Sequence, residues 1–482
     1  MKLIRLAMMA AALAVVPAAW ADYKTMDYGP FLNATYNVKN AGPVYRGTGI
    51  GFDVPAGKTI MSAKGGYIFD TELLRPAAWW TGGFVKLDGV VFSGGHGPNP
   101  SPVGSILLTT KPTPGWAKDG DWSDKRETVG YGPLPRDWAR LKGLYRSDNN
   151  VVFAYTVGDV NVLEYPMQET IEGVQVLSRT LNLAASGKPL SLVIGDFENA
   201  KGTAQGNQAE LTGTFENETT VVIPANKETK TKEKTEVRRD KYDGAVLARI
   251  QGIEGAKLSF DGGRLIAELP ALKAPAKAKI TVWVGEAKAK AAAAAVLAKV
   301  AGPQDLSAFT KGGAVRWPET ITTQGTLADE KAKAPFQQAY VIDSITPPFK
   351  NAYDSWFRIG GFDFFSDGRA AVCTWSGDVW IASGIDDKLD KVTWRRFAGG
   401  LFQALGLKIV DDKIYVLGRD GITRLHDLNN DGEADFYECF NNDFLVTANF
   451  HEFIFDLHTD PQGNFYFIKG GPVRPGGGGW DK

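Results

Sequence analysis

Asp427, Asn429, Asp431, Glu433, Asp435 and Glu438 occupy positions 1, 3, 5, 7, 9 and 12 of a twelve-residue stretch whose sixth residue is Gly432. Calcium takes six to eight oxygen ligands, and a glycine at the sixth position turns the backbone tightly enough for both halves of such a loop to converge. The spacing therefore predicts a calcium loop, with Glu433 contributing its carbonyl. The competing reading is an Asx-rich turn held by its own side-chain hydrogen bonds. Gly421–Leu425, just before the loop, reads as a strand, so the expectation is a turn between strands and not an EF-hand.

Histidines and cysteines are the other candidates. His451 precedes an apolar strand, where a general base could meet a substrate; the plainer reading is a surface or core histidine. His458 lies seven residues on, and an odd spacing on a regular strand sends two side chains to opposite faces, which disfavours a shared metal. His96 has no second histidine or carboxylate beside it at ligand spacing and reads as a loop residue. Cys373 and Cys439 are the two cysteines, and both a disulfide and a pair of buried thiols remain open. No Cys-x-x-Cys-His, Gly-x-Ser-x-Gly, His-Glu-x-x-His or phosphate-loop pattern occurs. Asp367, Asp411 and Asp460 read as turn residues rather than catalytic carboxylates.

The elements that would position these residues are mainly β-strands. Residues 22–166 predict an antiparallel, sandwich-like region with strands at Gly66–Phe69, Gly83–Phe92, Ser105–Thr110 and Asn150–Val157. Within it, Ala77–Gly83 and Gly94–Pro98 read as glycine-supported turns. Residues 167–305 predict a second β-rich domain, with a densely charged, solvated hairpin or loop at Asn226–Lys241 and a helix at Glu286–Val300 lying on a sheet. Residues 306–351 have linker composition. From 352 to 482 the texture changes to strand, acidic or glycine turn, strand, and the turns recur about every 45 residues, as in four-stranded propeller blades. A propeller needs about four to eight blades. Two repeats and the start of a third are present, followed by a glycine-rich end at 475–482, so the expected architecture is a partial β-propeller from a longer protein.

Lys2 and Arg5, the apolar run Leu6–Val16 and the small residues Ala19 and Ala21 predict a signal peptide over 1–21 and a mature chain from Asp22, in the periplasm or outside the cell. No later segment is apolar enough to span a membrane as a helix. The chain carries 54 basic and 55 acidic residues, and loss of Lys2 and Arg5 with the leader leaves a net charge of −3. That balance gives no nucleic-acid surface.

Trp375–Trp380, Trp394–Phe397, Gly418–Asp427 and Asn449–Phe453 resemble the propeller of large secreted planctomycete and verrucomicrobial proteins described as membrane-bound dehydrogenases, which are similar to quinoprotein glucose/sorbosone dehydrogenases. Met26–Phe31, Trp80–Phe84 and Tyr131–Pro135 resemble an uncharacterised domain that precedes such propellers. The resemblance implies pyrroloquinoline quinone (PQQ) held with calcium, His451 as the base that takes the substrate proton, and a cytochrome c domain, with haem c, in a C-terminal extension of longer relatives. Two functions follow. One is an extracytoplasmic quinoprotein-like dehydrogenase module that acts on a sugar or polyol and passes electrons to a haem domain. The other is a non-catalytic carbohydrate- or protein-binding module, with tryptophans near Trp79, Trp80 and Trp116 stacking on sugar faces.

Overall fold

The structure is a computed structural model that describes residues 22–128, 130–226, 230–328 and 342–471. The expected signal peptide and the glycine-rich end at 475–482 lie outside the described residues. The chain is mainly β, in several sheets, none of which closes on itself.

Strands that are largely buried on both faces build the first layer. β1 (Phe31–Val38), β2 (Gly42–Phe52), β3 (Gly65–Asp70), β4 (Arg75–Lys86) and β5 (Ser101–Thr109) form an antiparallel meander. Successive strand residues point to opposite faces. Trp79 accordingly enters the main core between the layers, while Trp80 enters a second core under the loops that carry Met26, Ile60 and Phe92. Ala77–Gly83, expected as a turn, is instead the interior of β4. The strand pairs on both sides, and its glycines serve a bulge at which Gly82 takes φ +116°. The strand expected over Gly83–Phe92 stops at Lys86.

The facing layer begins with β6 (Ala139–Ser147), β7 (Asn150–Val157), β8 (Val160–Ile171) and β9 (Val174–Leu183). Phe69 stacks on Phe153 across the interior at 4.2 Å. Residues 166 and 167, where a boundary was expected, lie within β8, which pairs with β9 from Val162 to Ile171. β10 (Leu190–Asp196), β14 (Lys257–Asp261) and β15 (Arg264–Leu269) make a small separate sheet, whereas β11 (Ala200–Gln205), β12 (Gln208–Ile223), β13 (Lys234–Gln251) and β16 (Ala276–Glu286) extend the layer through β9. Of the charged segment expected as a hairpin or loop, Lys234–Lys241 form the exposed end of β13, paired with β12. α1 (Lys290–Lys299) sets Ala293, Val296 and Leu297 on the sheet face of Val176, Leu247 and Trp283.

The remaining strands fall into groups of the expected length. β17 (Thr320–Thr323) comes from the segment expected as linker and pairs with β21. β18 (Ile359–Phe364), β19 (Ala370–Thr374), β20 (Val379–Ser383) and β21 (Val392–Ala398) form one meander; β22 (Gly406–Val410), β23 (Lys413–Gly418), β24 (Gly421–His426) and β25 (Phe436–Asn441) form a second; β26 (Phe453–Thr459) and β27 (Phe465–Gly470) form a hairpin. Their first strands lie side by side: the Ile409 amide donates to Asp363 at 2.9 Å and the Asp456 amide to the Leu405 carbonyl at 3.0 Å. β25 also pairs with β6, through Phe436 opposite Tyr145, which joins the C-terminal strands to the N-terminal layers.

Candidate functional site

The loop between β24 and β25 is shaped by left-handed backbone at Asn430 (φ +60°) and Gly432 (φ +87°). Asp427 accepts the amides of Asp431 (3.1 Å) and Gly432 (2.9 Å) on its two oxygens, Asn429 accepts the Asp431 amide, and Asp431 accepts the Glu433 amide at 3.0 Å. These three side chains share one turn. The rest of the predicted set is drawn elsewhere. Asp435 accepts the Leu428 amide at 2.9 Å and the Gly313 amide at 3.2 Å, and burial pushes its carboxyl up from the ordinary range. Glu433 points into the core, accepting the amides of Arg316 and Trp317 at 2.9 and 2.6 Å, with Arg146 at 3.2 Å. Glu438 meets His426 Nε2 at 2.7 Å. Among the described residues no three carboxylate, imidazole or thiol groups stand close enough to share an ion. The oxygen chemistry of Asp427, Asn429 and Asp431 fits calcium, but Glu438 is committed to its histidine.

Behind the loop, a buried ionic cluster joins the layers. Arg146 of β6 donates to the Ala434 carbonyl at 3.0 Å and lies beside Asp435. Trp317 donates to Asp27 at 2.9 Å and lies under the Arg396 guanidinium at 4.3 Å; Arg396 in turn pairs with Asp378. Although burial opposes ionisation, Arg396 and Arg316 hold the Asp27 carboxyl down to about 2. The segment expected as linker thus supplies a buried tryptophan at the centre of the molecule, a role that its composition does not reveal.

In front of the loop lies an open cleft of about 600 Å³ between the two C-terminal meanders. Period-two alternation fixes its walls. On β21, Val392 and Trp394 fill a local core, leaving Thr393, Arg395 and Phe397 for the cleft. On β20, Trp380 and Ala382 face that core and Ile381 and Ser383 the cleft. Across it stand Arg424 and His426 of β24, with Lys413 at the rim. Arg395 packs against Gly432, where a Cβ would run into the guanidinium, and its Nε is buried without a hydrogen-bond partner. Arg424 Nε is likewise unpartnered. Among the described residues, Arg395 and Lys413 make no ion pair with a carboxylate. The concavity offers cations, hydroxyls and two phenyl rings, Phe365 and Phe397, but no nucleophile paired with a base.

Residues 67–164 match the model of a domain of unknown function, DUF6797. No curated protein matches the chain. The DUF6797 stretch runs from β3 into β8 and contains Trp80–Phe84 and Tyr131–Pro135; Met26–Phe31 lies before it. It contributes Arg146 to the buried cluster and His96 to a surface loop. That loop brings His96 to Phe450, stacked at 4.8 Å, and to His451, with ring centroids 5.6 Å apart. Sequence spacing could not reveal this neighbour, because the two histidines are brought together only by packing of the DUF6797 loop on the C-terminal strands. His451 is exposed, and its amide donates to Asn449 Oδ1 at 2.9 Å. His458 pairs instead with Asp456 at 2.7 Å.

Two further expectations meet the structure here. Cys373 and Cys439 are free thiols, each pushed up to about 12 by burial. Trp79, Trp80 and Trp116 are fully buried, which removes them as sugar-stacking platforms. Trp79 and Trp80 sit on a strand covered on both faces, and the Trp116 backbone is fixed against the small sheet at Leu192. The cleft-lining residues that sequence reading missed are Arg369, Arg395, Lys413 and Arg424. For Arg395 and Arg424 the sequence signal is the alternation of β21 and β24, which cannot tell a cleft face from a solvent face.

Proposed function

We propose that the chain is an extracytoplasmic, non-catalytic binding module with a propeller-like C-terminal region, and that its ligand is a carbohydrate taken into the cleft between the two C-terminal meanders. The observation that carries this reading is the cleft itself. It has the size of a small-ligand site, with apolar surface and a few convergent polar groups, and among the described residues no hydroxyl or thiol is hydrogen-bonded to its imidazole, His426, which Glu438 holds. The side-by-side first strands of the three C-terminal groups support the blade-like arrangement. Calcium enters the proposal as a structural ion of the adjoining turn, through Asp427, Asn429, Asp431 and the Glu433 carbonyl; bound there it would stiffen one wall of the cleft.

Affinity electrophoresis in gels containing soluble polysaccharides tests the reading, with Phe397→Ala as the cleft variant. Retardation of the wild-type protein that Phe397→Ala loses is the expected result. Absence of retardation by any polysaccharide, together with sugar-dependent dye reduction that requires quinone, calcium and His451, would overturn it in favour of the dehydrogenase.

A further inference from the structure

The cleft carries more unmet charge than a neutral sugar needs. Its lining holds the guanidinium groups of Arg369, Arg395 and Arg424 and the ammonium of Lys413. The carboxylates on the same walls are already engaged. Asp412 accepts the Ser366 amide at 2.8 Å and its hydroxyl at 2.5 Å, and Asp427 accepts two loop amides. Glu438, beside the cleft, is shared between His426 at 2.7 Å and Arg424 at 3.7 Å, and Arg369 is paired with Asp367 at 2.7 Å. What remains, among the described residues, is Arg395 and Lys413 without a carboxylate. A guanidinium fork matches a planar carboxylate with two parallel hydrogen bonds.

We infer that the cleft takes an anionic saccharide whose carboxylate lies against Arg395, a sugar of the uronic acid class. This rests on the binding-module reading and specifies its ligand. The remaining lining suits a hydroxylated ring: Ser383 and Thr393, cross-strand partners on one wall, offer hydroxyls, and Phe365 and Phe397 offer apolar faces. An acidic peptide fits less well. Extended peptides bind by adding a strand to a sheet edge, whereas the walls here are sheet faces and the β25 edge is already occupied by β6.

The test is titration calorimetry of the full chain with three probes of the same length: an oligogalacturonate, its fully methyl-esterified form and a sulfated neutral galactan. Arg395→Gln and Arg395→Lys are titrated alongside, each checked for a native circular dichroism spectrum. The inference expects the acid to bind, the ester to bind about tenfold or more weakly, Arg395→Gln to weaken the acid to the level of the ester, and Arg395→Lys to retain part of the difference. Equal binding of acid and ester, unaffected by Arg395→Gln, overturns the carboxylate assignment and leaves the binding module standing. Preference for the sulfated probe overturns the carboxylate in favour of a sulfate ester. If no saccharide binds, both the inference and the reading beneath it fail.

Discussion

Glu72 occupies the turn between β3 and β4, fully enclosed, with Arg46 at 3.3 Å and Arg126 at 3.7 Å. Burial, reinforced by Asp70 and opposed by the two arginines, pushes its carboxyl up to about 7 from an ordinary 4.5. A folded-state value above the unfolded one means that the fold favours the protonated acid. Its contribution is complete below 4.5 and is lost as pH rises through about 7. Asp420, pushed to about 6 by burial, acts in the same sense. Glu72→Gln should therefore flatten the fall in unfolding free energy over that window by about 3 kcal/mol, measured by urea denaturation at a series of pH values. Parallel curves for the variant and the wild type would show that Glu72 does not titrate there. Nothing in the residues around Glu72 in sequence announces this, because Arg46 and Arg126 reach it from other strands and loops.

Elements with a strong local pattern are legible in the sequence. β7 runs over the stretch that its alternation predicts, and the alanine-rich helix lies on a sheet as its narrow apolar face requires. β4 was not legible: glycines that signal a turn in isolation serve a bulge when strands pair on both sides. For the turn between β24 and β25 the sequence offered two outcomes, calcium or self-capping. The hydrogen bonds onto Asp427, Asn429 and Asp431 suit both, since an oxygen that accepts an amide keeps a second lone pair. With calcium as the proposed structural ion, the unfolding midpoint should rise on adding calcium, fall with chelator, and lose this response in Asp431→Ala. A midpoint indifferent to both additions would leave the self-capped turn as the whole account.

Across the whole molecule, the β6–β25 pairing and the Arg146–Glu433 contact tie the DUF6797 stretch to the C-terminal strands. The recurring strand groups were readable from their turns, but this joint was not, since it pairs residues far apart in the sequence. The joint fixes the second meander against β6, and the cleft then lies between that meander and the first. Ligand binding should consequently tighten both walls together. Hydrogen–deuterium exchange with and without oligogalacturonate examines that claim most directly: the account predicts slowed exchange over 379–398 and 421–432 with little change around His96 and His451. Protection confined to the His96–His451 surface, with the cleft strands unaffected, would contradict it.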